Sequence, residues 1–171
     1  MTATPFARYA ARKGVRPAAR PGPWVLLAAW GPCGFSPVAP GTVGTLGAIP
    51  LYLVLSRLVT ESGYISVTAS LLVIGYWAAE RAGKYWGVAD ASPIVIDEVV
   101  GYLVALALVP FSWQAVAAAF VLFRIFDVLK PWPASAFDRM KNGFGVMMDD
   151  VAAGVWAWGV IAALRLLRVL P

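Results

Sequence analysis

Histidine is absent from this 171-residue chain, and cysteine occurs only once, at Cys33. A single cysteine excludes disulfides within the chain, and the shortage of both residue types excludes zinc sites of the Cys/His kind. The absence of histidine also removes the commonest general base. Catalytic chemistry in this chain is therefore restricted to carboxylates, hydroxyls, lysine and arginine, with or without a hard metal ion.

Charge is scarce as well. Charged residues make up 13% of the chain, against about 25% in ordinary soluble domains. Hydrophobic residues make up 60%, and the mean hydropathy is +0.73. The chain is long enough for one domain, and a single small core cannot bury so many apolar side chains. We therefore expect an integral membrane protein.

Acidic residues are missing from the first sixty positions, whereas basic residues are frequent there. Residues 1–23 are basic and proline-rich, and we expect them to form a partly disordered arm before a single domain at 24–171. A basic arm can bind nucleic acid. Apolar segments follow this one directly, so the positive-inside rule explains it better. We expect a cytoplasmic N-terminus and no nucleic-acid partner.

Four apolar runs predict helices, at 43–58, 65–79, 99–123 and 151–170, and the third run is broken at 110–114, from Pro110 onwards. Because a spanning helix needs about 20 apolar residues, only the last two runs approach that length. Residues 31–47 are rich in glycine and proline and predict a loop. The basic C-terminus suggests that both ends face the cytoplasm, which requires an even number of crossings. The predicted fold is an all-α, small polytopic helical membrane protein with functional loops at the cytoplasmic face.

Five of the nine acidic residues form three short clusters, each beside an apolar segment. Carboxylates at membrane depth are costly and are usually paired, liganded or functional. Each cluster also has a structural interpretation: a helix-start pair, an Arg124–Asp127 ion pair, or a helix cap. The clusters are Asp97-Glu98, Asp127 and Asp149-Asp150.

Together the clusters favour a hard cation such as Mg²⁺, which prefers carboxylate oxygens and retains water ligands. Arg124 and Lys130 lie between them in sequence, and a metal with basic side chains is a common clamp for phosphoryl groups. The glycine-rich segment at 34–47 could present amides and hydroxyls to a phosphate, although such segments are more often simple connections. These residues indicate a phosphate-ester or phosphoryl-transfer site at a membrane surface.

Several phosphatase signatures are absent. The cysteine-phosphatase pattern C-x₅-R is missing, because Ala39 is the sixth residue after Cys33. The D-x-D pattern of haloacid-dehalogenase-type phosphatases is missing too, and so is the D-x-x-D-G-x-x-A-R pattern of CDP-alcohol phosphotransferases. These absences narrow the choice among phosphate-processing enzymes.

From about Trp24 to Ala163 the sequence resembles the phosphatidylglycerophosphatase A family. The order and combination of four segments carry the resemblance, and one departure is Pro32-Cys33, where a Gly-Ser pair is expected before Gly34. The segments are S-P-V-A-P-G-T-V-G-T-L (36–46), I-D-E-V-V-G (96–101), F-R-I-F-D-V-L-K-P-W-P (123–133) and G-F-G-V-M-M-D-D-V-A-A-G (143–154).

The resemblance implies a phosphoric monoester hydrolase that converts phosphatidylglycerophosphate to phosphatidylglycerol and phosphate. It also implies Mg²⁺ and a multi-pass protein of the bacterial cell inner membrane, with the site facing the cytoplasm. A small transporter, a non-catalytic lipid-binding protein and a phosphatase for another lipid remain alternatives. We expect Asp97, Glu98, Asp127, Asp149 and Asp150 as metal ligands and catalytic groups, Glu80 as a less favoured further ligand, and Arg124, Lys130, Ser36 and Thr42 as phosphate-binding residues.

Overall fold

The computed structural model describes residues 21–171, so nearly all of the predicted arm at 1–23 lies outside the described residues. The described part contains seven α-helices, one 3-10 helix and no strand, which confirms the all-α prediction. The helices are α1 (Pro23–Ala28), the 3-10 helix (Cys33–Phe35), α2 (Pro40–Leu58), α3 (Glu61–Trp86), α4 (Ile96–Ala105), α5 (Trp113–Leu129), α6 (Ala134–Asp138) and α7 (Gly143–Leu166).

The long helices form a bundle with two chemically different ends. At one end, the first residue of α7 meets the last turns of α3, because the Gly143 amide donates to Glu80. The starts of α2 and α4 and the end of α5 lie at this same end, which we name the acidic end. At the other end the hydroxyl of Tyr64, in the first turn of α3, donates to the carbonyl of Leu103 in α4. We name it the tyrosine end.

Helix α4 is the centre of the bundle. It packs against α2, α3, α5 and α7. Nearly every residue in it is buried, including Val99, Val100 and Leu103. A helix that is apolar on all sides is stable only where neighbours surround it. The two acids in its first turn are therefore carried into the middle of the acidic end.

The outer surface of the bundle is apolar. Three helices, α2, α3 and α7, are long and apolar enough to cross a membrane. The hydrocarbon core of a bilayer solvates an apolar surface of this kind, provided that the backbone polar groups are hydrogen-bonded within helices. Exposed apolar side chains on the long helices include Leu46, Val54, Ile65, Val73, Val121, Val155 and Leu166.

The first two apolar runs, which are shorter in the sequence than a typical span, lie within helices long enough to cross a membrane, because α2 has 19 residues and α3 has 26. Hydroxyl residues interrupt the apolar run of α3 in the sequence but not in the helix. The hydroxyls of Ser66 and Thr68 donate to carbonyls one turn earlier, at 2.8 and 2.9 Å. This local bonding satisfies the hydroxyls inside a membrane helix.

The predicted loop at 31–47 is helical in its second half. Pro40 occupies the first turn of α2, where its missing amide hydrogen costs nothing, and the left-handed backbone of Ala39 caps the helix. Glycine is used here for close packing: a Cβ at Gly44 would lie 2.7 Å from the Cβ of Val95. Pro50 lies inside α2 on an exposed face and does not end the helix.

The run at 99–123 is not one span. It breaks at 106–112, near Pro110 as predicted, into the short helix α4 and the 17-residue helix α5. The last helix begins at Gly143 rather than beside Asp149. Asp149 and Asp150 are therefore seventh and eighth in α7, beyond the unpaired amides of its first turn, so helix capping does not explain them.

The expectation of an even number of crossings does not match the helix arrangement. Helix α1 lies near the acidic end, since Trp24 packs against Arg81 of α3. Helix α7 runs from the acidic end towards the tyrosine end, where Trp158 donates to the carbonyl of Ala107. Three crossings by α2, α3 and α7 would leave the C-terminal tail on the side opposite the acidic end.

Candidate active site

Three predicted acids meet at the acidic end. Asp97 and Glu98 come from the first turn of α4, and Asp150 comes from α7. One carboxylate oxygen from each of the three lies within 4.8 Å of the others. Asp97 is 7% exposed and Asp150 is 3% exposed. Negative charge is thus concentrated where little solvent reaches it.

Each of these three carboxylates keeps a buried oxygen that has no hydrogen-bond partner within residues 21–171: Asp97 Oδ1, Glu98 Oε2 and Asp150 Oδ2. A buried, unpaired carboxylate oxygen is very costly unless something else binds it. An all-oxygen donor set suits Mg²⁺ or Ca²⁺, and it does not suit zinc. The residues present therefore fit a divalent hard cation.

Asp127 lies beside this group and forms an ion pair with an arginine side chain. Arg124, one turn earlier in α5, approaches Asp127 Oδ2 at 2.5 Å through Nη1, and the same nitrogen is 4.0 Å from Glu98 Oε1. Asp127 is also close enough to Asp150 for the charges of the two side chains to interact. The predicted Arg124–Asp127 ion pair is present, and it borders the acid group.

Lys130 lies just beyond the last residue of α5. It caps the end of α5 in a left-handed conformation instead of continuing the helical face of Arg124 and Asp127. Its ammonium pairs with Asp149 of α7 and lies 3.0 Å from Asp138 Oδ1. Asp149 Oδ1 also accepts the amide of Asp150 at 2.9 Å. Asp149 thus has two protein partners and is held next to the unpaired carboxylates.

The pKa values in and around the acid group reflect this arrangement. Burial raises the pKa of Asp97 well above its usual range, and the charge of Glu98 raises it further. Burial also raises the pKa of Glu98 to about 8. Burial opposes charge on Lys130, yet its bonds to Asp149 and Asp138 raise its pKa overall. A divalent cation would offset the cost that keeps the two carboxyl pKa values high.

The start of α2 forms another wall. A Cβ on Gly41 would collide with Glu98 Oε1 and lie 3.1 Å from Arg124 Nη1. The first amides of a helix have no acceptor within it and favour anions. Thr42 follows in this turn and is partly buried, whereas Ser36 Oγ bonds within its own turn, to the carbonyl of Val38. Of the two predicted hydroxyls, Thr42 is therefore next to a residue that touches the acid group.

Glu80 does not join the acid group. Its Oε2 accepts the Gly143 amide at 3.0 Å and its Oε1 pairs with Lys84 at 3.2 Å. These bonds tie the end of α3 to the start of α7. Glu80 therefore connects two helices and does not act as the further metal ligand that the sequence suggested.

Sequence reasoning overlooked two acids. Asp138 in α6 bridges Lys130 and Lys141, at 3.0 and 3.3 Å. Asp90 is exposed, and its charge acts on Asp97. The short chain reversal after Pro131 brings Asp138 back to Lys130, and the only signal for this in the sequence is the pair of prolines that follow α5.

The acidic end therefore combines three properties. It holds carboxylates able to bind a divalent cation, basic side chains on two sides, and the positive end of a helix dipole. A phosphate ester carries two negative charges and would be attracted by the cation, by Arg124 and Lys130, and by the α2 amides. The apolar outer faces of the helices start beside this end, which would suit a phosphate on a lipid.

Comparison with known proteins gives a consistent picture. A family model described as phosphatidylglycerophosphatase A matches residues 26–165. The chain is 42% identical to phosphatidylglycerophosphatase A of Escherichia coli (strain K12), over 81% of each chain. It is 41% identical to the Haemophilus influenzae protein of that name, over 74% of this chain and 79% of that protein.

A third relative bears a different name. A Bacteroides thetaiotaomicron protein that is provisionally named a phosphatidylinositol-3-phosphatase is 43% identical, over 77% of this chain and 87% of that protein. No solved structure matches this chain. The family resemblance and the prediction of a phosphatase are both confirmed. On the family model and on the identity over most of its length, the chain belongs to the phosphatidylglycerophosphatase A family of phosphatases.

Proposed function

We propose that this protein is a Mg²⁺-dependent phosphatidylglycerophosphatase, which hydrolyses phosphatidylglycerophosphate to phosphatidylglycerol and inorganic phosphate. The observation that carries the proposal is the buried group of Asp97, Glu98 and Asp150, each with an unpaired oxygen, in a chain of this family. The names of two relatives support the substrate. The carboxylate donors support the metal.

In this proposal Asp97, Glu98 and Asp150 would hold Mg²⁺. Asp127 and Asp149 lie beside these carboxylates and form ion pairs with Arg124 and Lys130, respectively. When bound, the cation would polarise the phosphate and activate water for attack on phosphorus. Its preference for oxygen ligands and for retained water suits the three carboxylates.

The basic residues provide charge stabilisation. Arg124 and Lys130 would bind phosphate oxygens and stabilise the negative charge that grows in the transition state. Amides at Gly41 and Thr42 would orient the phosphate, and Ser36 would become a further donor only by giving up its hydrogen bond to the Val38 carbonyl. As water adds to phosphorus, the bond from phosphorus to the glycerol oxygen breaks and that oxygen takes a proton. A carboxylate free of the metal would accept the proton from water.

The lipid and the membrane complete the proposal. The acyl chains would remain in the bilayer beside the apolar faces of α2, α3 and α7. More lysines and arginines lie near the acidic end, among them Arg81, Lys84, Arg139 and Lys141, than near the tyrosine end, which has Arg57, Arg165 and Arg168. By the positive-inside rule this end lies on the cytoplasmic side of a bacterial inner membrane.

The decisive experiment measures phosphate release from phosphatidylglycerophosphate in detergent micelles. We expect release by the wild type with Mg²⁺, and its loss with EDTA and in Asp150→Asn. Glu61→Gln is the matched control, because Glu61 is an exposed acid at the tyrosine end. Activity of Asp150→Asn equal to that of Glu61→Gln would contradict the proposed site.

An inositol lipid is the second candidate substrate, because a relative of similar identity is provisionally named a phosphatidylinositol-3-phosphatase. Phosphatidylinositol 3-phosphate should be assayed in the same micelles at the same concentration. A higher kcat/KM for the inositol lipid would keep the phosphatase site and replace the proposed head group. Release from neither lipid by a folded protein would reject both substrates.

A further inference from the structure

Helices α4 and α7 come into backbone contact at two glycines. A Cβ on Gly154 would collide with the carbonyl oxygen of Gly101 and lie 3.1 Å from its carbonyl carbon. From the other side, a Cβ on Gly101 would lie 2.6 Å from the carbonyl oxygen of Asp150. Backbone atoms in two packed helices cannot turn aside as the end of a side chain can. Any side chain at this crossing must push the helices apart.

The crossing lies one helical turn from the acid group. Asp97 precedes Gly101 by four residues, and Asp150 precedes Gly154 by four residues. Residues four apart lie on the same face of a helix. The distance between the carboxylates therefore depends on the distance between the backbones at the glycines.

The carboxylates themselves oppose this approach. Asp97, Glu98 and Asp150 are all acids, and each has an unpaired oxygen among the described residues. Once ionised to bind a cation they carry charges of the same sign, and repulsion between them favours a wider spacing of α4 and α7. Contact at the glycines maintains the narrow spacing through van der Waals packing along both helices.

Spacing matters more for Mg²⁺ than for larger cations. Mg²⁺ requires near-ideal octahedral geometry at about 2.0–2.1 Å, whereas Ca²⁺ accepts flexible geometry at about 2.3–2.6 Å. A site widened by a methyl group at the crossing would lose more affinity for Mg²⁺ than for Ca²⁺. This difference separates a positioning effect from a general loss of stability.

We propose that Gly101 and Gly154 are positioning residues, which set the spacing of α4 and α7 at which Asp97, Glu98 and Asp150 select Mg²⁺ over Ca²⁺. The inference rests on the proposed function for the identity of the metal. It assigns a role in the metal site to two residues that do not touch the substrate, and it explains why this site would prefer Mg²⁺ to Ca²⁺.

The test is isothermal titration of the purified full-length protein in detergent with MgCl₂ and, separately, with CaCl₂. In Gly154→Ala we expect the Kd for Mg²⁺ to rise about 10- to 100-fold, as for other residues that orient metal ligands, and the Kd for Ca²⁺ to rise clearly less. The selectivity for Mg²⁺ over Ca²⁺ therefore falls. Activity is not needed as a readout.

Two alanine variants serve as controls. Gly159→Ala is in the same helix, and its new Cβ would meet nothing within 4 Å. In Gly75→Ala the new Cβ would lie 2.8 Å from the Cε of Met147, a flexible side-chain end that can move, and 3.2 Å from the Cγ1 of Ile96. Both should keep the selectivity of the wild type. Equal loss of selectivity in Gly159→Ala and Gly154→Ala would overturn the proposal.

The remaining outcomes are also decisive. A folded Gly154→Ala with wild-type affinity for both ions would reject the positioning role and leave the proposed function intact. A wild type that binds neither ion would reject the metal site itself. If Gly154→Ala does not fold, Val104→Ile adds one methylene group beside Gly154 and must lower the selectivity in the same direction. Unchanged selectivity in that variant would also overturn the proposal.

Discussion

The two ends of the bundle bury polar groups in opposite ways. At the tyrosine end, Tyr64 and Tyr102 donate to the carbonyls of Leu103 and Val116, at 2.7 and 3.0 Å. These groups are neutral, and each has found a partner. At the acidic end, Asp97 and Asp150 are equally buried, but they are acids and each retains an unpaired oxygen among the described residues.

The difference shows which buried polar groups serve the fold and which serve chemistry. A neutral hydroxyl bonded to a carbonyl contributes modestly to stability. Even the Tyr52 hydroxyl, which has no partner in the described chain, costs far less than an unpaired carboxylate. Three carboxylates that oppose folding are retained only if they have another use, so the acidic end should be less stable and more active.

The largest expected effect comes from Asp97→Asn. Loss of one metal ligand should lower the rate of phosphate release about 100-fold or more. The same change removes a buried acid whose ionised form opposes folding, so the melting temperature in EDTA should rise at a pH high enough to ionise this carboxyl. Phosphate release and thermal unfolding in EDTA measure the two effects. A variant that melts lower than wild type in EDTA would show that the carboxylate stabilises the fold.

Lys130→Met should affect both properties. Its removal leaves Asp149 and Asp138 without their shared cation, which should lower the free energy of unfolding by about 1–3 kcal/mol. The rate should fall as well, because a phosphate-binding charge is lost. Unfolding in SDS and the rate at saturating lipid measure these changes. Lys130→Arg is the control that keeps the charge, and it should recover stability better than rate if the position of the ammonium matters.

Some features of this comparison were predictable from the sequence. The five acids stood out because carboxylates are rare beside apolar runs, and the structure brings Asp97, Glu98 and Asp150 into one group. The break near Pro110 followed from proline chemistry. Local composition therefore located the acidic segments and one helix boundary.

Other features depend on tertiary contacts that composition does not encode. Helix α3 is longer than its apolar run in the sequence, because the hydroxyl residues that interrupt the run bond to backbone carbonyls of the same helix. The left-handed backbone of Lys130 turned its side chain towards Asp149 and Asp138. Gly101 and Gly154 end two of the sequence segments that carry the family resemblance, 96–101 and 143–154. The sequence does not show that these two glycines contact each other, because the contact depends on how α4 and α7 pack.

Tyr64→Phe tests the tyrosine end and should have a smaller effect. It removes the hydrogen bond to Leu103 and should lower the free energy of unfolding by about 1 kcal/mol. The rate of phosphate release and the affinity for Mg²⁺ should remain unchanged, because the hydroxyl lies at the end opposite the acids. A loss of activity larger than the loss of folded protein would show that the two ends are coupled.

Asp138→Asn should have the smallest effect, and pH identifies its cause. The hydrogen bond from Lys130 holds the pKa of Asp138 below its usual range. A carboxyl with a lowered pKa in the folded state stabilises the protein above its ordinary pKa of about 3.9, and this contribution is lost as pH falls through the lower folded value. Because Asp138 is 31% exposed, the contribution should be below about 1 kcal/mol.

Wild type should therefore melt slightly higher than Asp138→Asn at neutral pH, and the two melting curves should converge as the pH falls below about 4. Thermal unfolding across a pH series in detergent measures the difference. A difference that persists after Asp138 is protonated would mean that the side chain contributes through packing of α6 and not through its charge. Convergence would identify Asp138 as an electrostatic support for Lys130 at the edge of the acidic end.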